Sequence, residues 1–183
     1  MTRTIKAVMV VAHPDDCVIF GWPIIKKYQH LDWTILYMTY DKSTPRGIEI
    51  SKFWQDENVS VDFCGVEDKE ADLISKRIVS FNKLEVKKII QDKVKQFDLV
   101  VTHNEDGEYG HPHHVFCHEV VNELDLPKVF FCNGHIANLH IDGNKLKQQD
   151  LSKLPLHREI IEGFEYRYDG FYKIGNSVKE ILK

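Results

Sequence analysis

The sequence predicts an α/β domain, a mostly parallel sheet flanked by helices on both faces. Three observations carry that prediction. The runs IKAVMVVA (Ile5 to Ala12) and DLVVT (Asp98 to Thr102) are nearly unbroken in apolar and β-branched residues, the mark of strands buried on both faces. Such runs alternate with stretches of helical periodicity, which implies βαβ units. No internal repeat, low-complexity stretch or linker interrupts the 183 residues, so one domain over 1–183 is expected.

The elements follow in order. Pro14 ends the first strand, because proline removes a backbone donor. Val18 to Gln29 has helical spacing, blurred by Gly21 and Pro23. Trp33 to Thr39 predicts a second strand, Gly47 to Asn58 a helix, and Val59 to Cys64 a short third strand. Asn82 is a candidate N-cap for a helix to about Gln96, with Leu84, Val86, Ile89, Ile90 and Val94 as its apolar stripe. After the DLVVT strand, Pro112 suits the first turn of a helix through about Asn122. Lys128 to Cys132 predicts another strand, and Ala137 to Leu146 a hairpin around Asp142-Gly143. The aromatic tail FEYRYDGFYK suits a β segment, a lid or an oligomer contact, and a short helix ends the chain.

Composition narrows the class. The chain carries 24 Lys and Arg against 28 Asp and Glu, a formal charge of −4, which argues against a nucleic-acid binder. No apolar run approaches the 18 or more residues of a membrane span, and the opening MTRTIKAVMVVAHPDD suits a first strand rather than a signal peptide. Cys17, Cys64, Cys117 and Cys132 are scattered without CxxC spacing, which suits a reducing, cytoplasmic setting. Trp22, Trp33 and Trp54 are expected in the core rather than as sugar-stacking platforms.

The unusual count is histidine: ten in all, four of them between His103 and His114. Two clusters, His13-Pro14-Asp15-Asp16 and His103 to His114, each follow a predicted parallel strand. Ligands collect at the carboxyl ends of strands in open α/β sheets. Imidazole and carboxylate ligands suit zinc or another divalent first-row metal. Three protein ligands leave a position for water, whose pKa falls toward roughly 7 so that hydroxide is available at neutral pH. The adjacent Asp15 and Asp16 offer one ligand and one general base. HPDD alone also suits a simple turn that caps the next helix. The acidic loop His103, Asn104, Glu105, Asp106, Glu108 suits a ligand border and a solvated rim equally, and His118 suits a hydrogen-bonded role better than a second ligand.

VVAHPDD followed by GEYGHPHH resembles the PIG-L/LmbE-like family of zinc-dependent N-acetylglucosaminyl deacetylases, whose signatures are AHPDDE and a distal GHPDH. The resemblance spans about Ile5 to Val121. It implies a Rossmann-like three-layer fold and removal of the N-acetyl group from an N-acetylglucosamine-type sugar or conjugate by metal-bound hydroxide. Carried over by position, it makes His13, Asp16 and His114 the metal ligands, Asp15 the general base, and His111 the donor to the carbonyl oxygen or the departing amine. Arg46, which opens an RxxE pattern with Glu49, and Tyr109, just before GHP, become substrate-binding residues. The implied cofactor is Zn2+, with another first-row ion as the alternative. The implied partner is a small N-acetylated sugar or conjugate, without a nucleic acid or a membrane span, and a homo-oligomer is compatible with it.

Two positions depart from the family pattern. Cys17 stands where Glu is frequent, as buried packing or as a soft group near the metal. His113 replaces the Asp of HPDH, an exchange expected to alter the tuning of His111, since a neutral imidazole brings no negative charge. The rival functions are a catalytically silent metal- or nucleotide-binding module, a metal hydrolase of another amide or ester, and an oligomer whose histidines hold a subunit contact.

Overall fold

The computed structural model describes residues 3–68, 81–142, 151–163 and 170–183. Among them runs a seven-stranded sheet of order β3-β2-β1-β4-β5-β7-β6. The strands are β1 (Lys6–Val11), β2 (Asp32–Thr39), β3 (Ser60–Val66), β4 (Leu99–Thr102), β5 (Lys128–Phe131), β6 (Leu139–His140) and β7 (Phe171–Ile174). The first five are parallel, whereas β7 runs antiparallel to both β5 and β6. This is the α/β class that the alternating pattern predicts.

Successive side chains of a strand point to opposite faces, and β1 divides the core accordingly. Ala7, Met9 and Val11 pack with Trp22, Ile50, Phe53 and Trp54; Val8, Val10 and Ala12 pack with Val86, Ile90, Val94, Phe116 and Val120. The first face is covered by α1 (Asp16–Ile19), α2 (Trp22–Lys27) and α3 (Pro45–Asp56). The second carries α4 (Lys83–Val94) and, beyond the irregular turn α5 (Gly107–Gly110), α6 (Pro112–Asn122). Each fully buried aliphatic or aromatic side chain adds about 1.5–3 kcal/mol. Trp22, Trp33 and Trp54 are all buried.

Local rules set the helix starts. Asn82 caps α4, its side-chain oxygen accepting from Leu84 N at 3.1 Å and Glu85 N at 3.4 Å. Thr44 caps α3, and Pro45 follows it in the first turn, where a missing N–H costs nothing. The helix expected over Val18 to Gln29 is instead two. Pro23, which has no N–H to continue a helix, opens a second one, and Gly21 becomes its N-cap.

The C-terminal part departs most from expectation. Among the described residues β6 pairs with β7, distant in sequence, with Leu139 opposite Tyr172. Residues 143–146 of the expected hairpin and 164–169 of the aromatic tail lie outside the described residues. The described end of that tail is a strand inserted between β5 and β6. A short helix, α7 (Arg158–Gly163), precedes it, and α8 (Asn176–Ile181) follows.

The sheet order 3-2-1-4 reverses direction at β1. The carboxyl ends of β1 and β4 therefore flank the crevice where open α/β sheets bind ligands.

Candidate metal centre

The loop after β1 is self-ordered. His13 N–H donates to Asp16 Oδ2 at 2.7 Å, and Asp16 N–H donates to His13 O at 3.2 Å. This folds an imidazole and two carboxylates into a single turn, all three nearly buried. Cys17 faces away, its thiol beside Pro14 O at 3.2 Å and Tyr37 Oη at 3.0 Å and accepting from Trp54 Nε1 at 3.1 Å. Of its two expected roles, core packing is the one observed.

The loop after β4 is longer and is organised around Glu108, which is buried rather than part of a solvated rim. One oxygen, Oε2, lies 2.8 Å from His103 Nδ1 and 2.7 Å from His114 Nδ1; the other, Oε1, accepts from Asn104 N–H at 3.0 Å. Burial raises the carboxyl pKa, but His103 and His114 outweigh it and hold it down at about 2. A carboxylate only accepts, so both imidazoles carry a proton on Nδ1. Glu108 has φ +58°, a left-handed backbone that costs a non-glycine residue roughly 1–3 kcal/mol. The three hydrogen bonds it accepts there offset that cost.

His103 and His114 differ at the other ring nitrogen. Against burial, Glu108 and Asp16 draw His103 up to about 9. Ala12 N–H, however, donates to His103 Nε2 at 3.1 Å. An imidazolium has no lone pair to accept that bond, so the geometry fixes the neutral ring and removes His103 as a ligand. His114 Nε2 is buried with no hydrogen-bond partner among the described residues, and it sits 3.3 Å from Asp16 Oδ1. A lone pair and a carboxylate at that distance repel unless a positive charge lies between them. Accordingly, although burial opposes it, Asp16 raises the His114 pKa, and His114 in turn holds Asp16 well below the carboxylate range.

His13 completes the cluster. Its Nδ1 lies 3.3 Å from Asp16 Oδ2, and its ring centroid is 5.5 Å from that of His114. The donor set of two imidazoles and one carboxylate fits a divalent first-row ion. The Glu108–His114 contact has the carboxylate–histidine form that orients a metal-binding ring.

The other expected residues line the same crevice. Arg46, in the first turn of α3, donates from Nη2 to Asp15 Oδ1 at 2.6 Å and from Nη1 to Tyr40 Oη at 2.7 Å. Gly47 allows that turn to approach the preceding loop, since a Cβ there would lie 2.1 Å from Asp41 O. Glu49, one turn on, accepts from Leu156 N at 3.0 Å and lies 2.6 Å from His157 Nδ1, which ties α3 to the C-terminal part. His111 caps α6, its Nδ1 accepting from His113 N–H at 3.2 Å. Burial, and after it the neighbouring His114, push it down to about 2, so the ring is neutral with its proton on Nε2. Tyr109 is half-exposed, with its ring edge-on to His114 at 5.3 Å and to His111 at 5.8 Å. His118 Nδ1 meets His103 O at 3.0 Å, a hydrogen-bonded role.

The seven residues singled out from sequence thus share one crevice; His103 and Glu108 of the acidic loop border it, and Tyr40 and Asp68 enter it unannounced. The His113 side chain lies against His111, as the exchange at that position implies, and against His13 as well. Its Nδ1 lies 3.1 Å from His13 Nε2, and its ring centroid is 5.2 Å from that of His111, whose Nδ1 also accepts from its backbone N–H.

A family model described as PIG-L, GlcNAc-PI de-N-acetylase, matches residues 8–124. The uncharacterized protein L374 of Acanthamoeba polyphaga mimivirus is 25% identical over 138 residues, covering 67% of this chain and 59% of that protein. This chain therefore spans less than two thirds of that relative's length. Two solved structures share the fold at 14% identity. One is a deacetylase of the teicoplanin biosynthesis pathway, with a TM-score of 0.61 over 86% of this chain and 87% of that one. The other is GalB, the 4-carboxy-2-hydroxymuconate hydratase of Pseudomonas putida KT2440, with a TM-score of 0.56 over 87% and 82%. Two chemistries on one fold mean that the reaction has to be argued from side chains. The family model takes in more than half of the chain and both crevice loops, and the protein belongs to the PIG-L, GlcNAc-PI de-N-acetylase family.

Proposed function

We propose that this chain is a metal-dependent hydrolase that removes the N-acetyl group from an N-acetylglucosamine-type sugar or conjugate. The observation that carries the reading is the buried His114 Nε2, which lacks a hydrogen-bond partner among the described residues and faces Asp16 Oδ1 at 3.3 Å. His13, Asp16 and His114 would hold the ion, and His103 would not. Zn2+ or another divalent first-row ion held there would polarise the acyl carbonyl and lower the pKa of water toward roughly 7.

The remaining steps belong to the chain's own groups. Asp15 Oδ1 is tied to Arg46, which aims the carboxylate and leaves Oδ2 to take a proton from the water that attacks the acetyl carbon. His111, with Nδ1 engaged by the α6 cap, donates from Nε2–H to the oxygen that gains charge. Collapse breaks the carbon–nitrogen bond, and Asp15 returns its proton to the departing amine, leaving acetate and a free amino sugar. A neutral His111 supports the oxyanion role over amine protonation. Half-exposed Tyr109 stands at the mouth, where a sugar ring would contact it, and Arg46 borders the same opening. The four free cysteines support a reducing, cytoplasmic setting.

The test is release of primary amine from a panel of N-acetylated sugars and conjugates by zinc-loaded protein, with Asp15→Asn as control. Release that depends on Asp15 supports the reading. A fully metallated protein that releases no amine across the panel overturns it in favour of a silent binding module, and turnover confined to esters or other amides redirects it.

A further inference from the structure

We infer that a second cation site adjoins the first, built from His13 Nε2, His113 Nδ1 and Asp68 Oδ1, and that it takes a zinc-like divalent ion. The three atoms are separated by 3.1, 3.8 and 3.9 Å. A point about 2.1 Å from all three exists between them, within the range of zinc–nitrogen and zinc–carboxylate bonds. Two imidazoles and one carboxylate repeat the donor chemistry of the first site.

The surroundings hold these donors in place. Tyr40 Oη accepts from Arg46 Nη1 at 2.7 Å and forms a side-chain hydrogen bond with Asp68, so its own proton goes to that carboxylate. Phe81 packs against the His113 ring, with centroids 5.7 Å apart. The His13 and His113 side chains are largely enclosed, whereas that of Asp68 is 21% exposed, which gives an ion a way in from solvent. An aspartate at position 113, as in the family motif GHPDH, would replace the second imidazole, so this donor set is a feature of this chain.

The two sites share His13 and use opposite ring nitrogens. In the cation-free chain, one proton lies between His13 Nε2 and His113 Nδ1. A cation held by both nitrogens would displace that proton to solvent, and His13 would be a ligand common to the two sites. The second site therefore fills after the first and more weakly. The inference rests on the hydrolase reading only through this shared ligand.

The test is a Zn2+ titration of the full, chelator-stripped chain, followed by calorimetry and by equilibrium dialysis with elemental analysis. Two equivalents are expected, the second at least about tenfold weaker, in line with the weight of ligand and outer-shell groups at metal sites. Asp68→Asn, which preserves shape, and His113→Phe should each abolish the weaker equivalent and keep the tighter one. His114→Ala should weaken the tighter one. With Co2+ as the probe, the second equivalent should add its own visible absorption in the parent and none in Asp68→Asn. A single equivalent in the parent, or a weaker equivalent that survives in Asp68→Asn, overturns the second site and leaves the hydrolase reading standing. No Zn2+ bound at all overturns both.

Discussion

The two loops that form the crevice reach the same end by opposite means. The β1 loop is four residues, His13 to Asp16, held by its own backbone and by one carboxylate that turns back on it. The β4 loop takes twelve residues, His103 to His114, and passes through three positive φ values: Gly107 at +61°, Glu108 at +58° and Gly110 at +90°. A short loop can be ordered by contacts within itself. A long one has more backbone freedom to lose, and here a buried carboxylate gathers two imidazoles and a backbone N–H around one point. The β1 loop concentrates chemistry; the β4 loop spends most of its length building a support for one ring.

That contrast predicts separable failures. Asp15→Asn, in the β1 loop, removes the proton acceptor while keeping shape and the Arg46 contact. Turnover should fall about 100- to 10,000-fold, with zinc content by elemental analysis unchanged. Glu108→Gln, in the β4 loop, touches no reacting group yet removes the common acceptor of His103 and His114. Zinc affinity, measured by chelator competition, should drop about 10- to 100-fold. An unchanged affinity would mean that Glu108 only folds the loop, and the division of labour between the loops would be lost.

The same contrast explains what was legible in the sequence. HPDD and the parallel strands are contiguous patterns whose local physics survives in the fold: β-branched runs bury on both faces, and a Pro-Asp turn stays a turn. The break in the helix at Pro23 was signalled by the proline itself. Glu108 was not legible, because a glutamate in an acidic loop is ordinarily solvated, and it is the left-handed backbone at that residue that sends this one inward. Asp68 carries no motif and comes to the crevice only because β3 lies two strands from β1. The contact of the His113 ring with His13 was not legible either, because residues in one helical turn diverge by about 100°: His111 caps α6, while His113 reaches His13 as well as His111. β6 found a partner distant in sequence, which no turn residue foretells.

The positive-φ glycines sharpen the comparison within the β4 loop. At Gly107 an added Cβ would lie 2.8 Å from Val115 Cγ2 and 3.3 Å from His114 Cβ; at Gly110 it would meet nothing within 4 Å. Gly110→Ala should therefore cost only the left-handed backbone, about 1–2 kcal/mol. Gly107→Ala adds an overpacking cost of about 1–3 kcal/mol and presses on the residue that holds Nε2. Denaturant unfolding should rank them in that order, and only Gly107→Ala should weaken zinc binding. Equal effects would show that the support around His114 is looser than its hydrogen bonds imply.

The smallest effect concerns pH. Burial, with the charge of His13, pushes His113 down to about 4, against about 6.5 in an unfolded chain. Between those values the unfolded chain binds a proton that the native ring does not, so stability rises with pH across this window. The contribution is complete above about 6.5 and is lost as pH falls toward 4. His111, with a still lower value, adds a slope of the same sign, whereas Glu108, held at about 2, loses its contribution only below the usual carboxylate range. Chelated protein should therefore lose stability from pH 6.5 to 4 in denaturant titrations, and His113→Gln should flatten that slope by up to one proton. Slopes rather than absolute stabilities make the comparison, since the glutamine also alters the contact with His13. Identical slopes would mean that position 113 is not held neutral, and the acid sensitivity would then belong to the β1 loop instead.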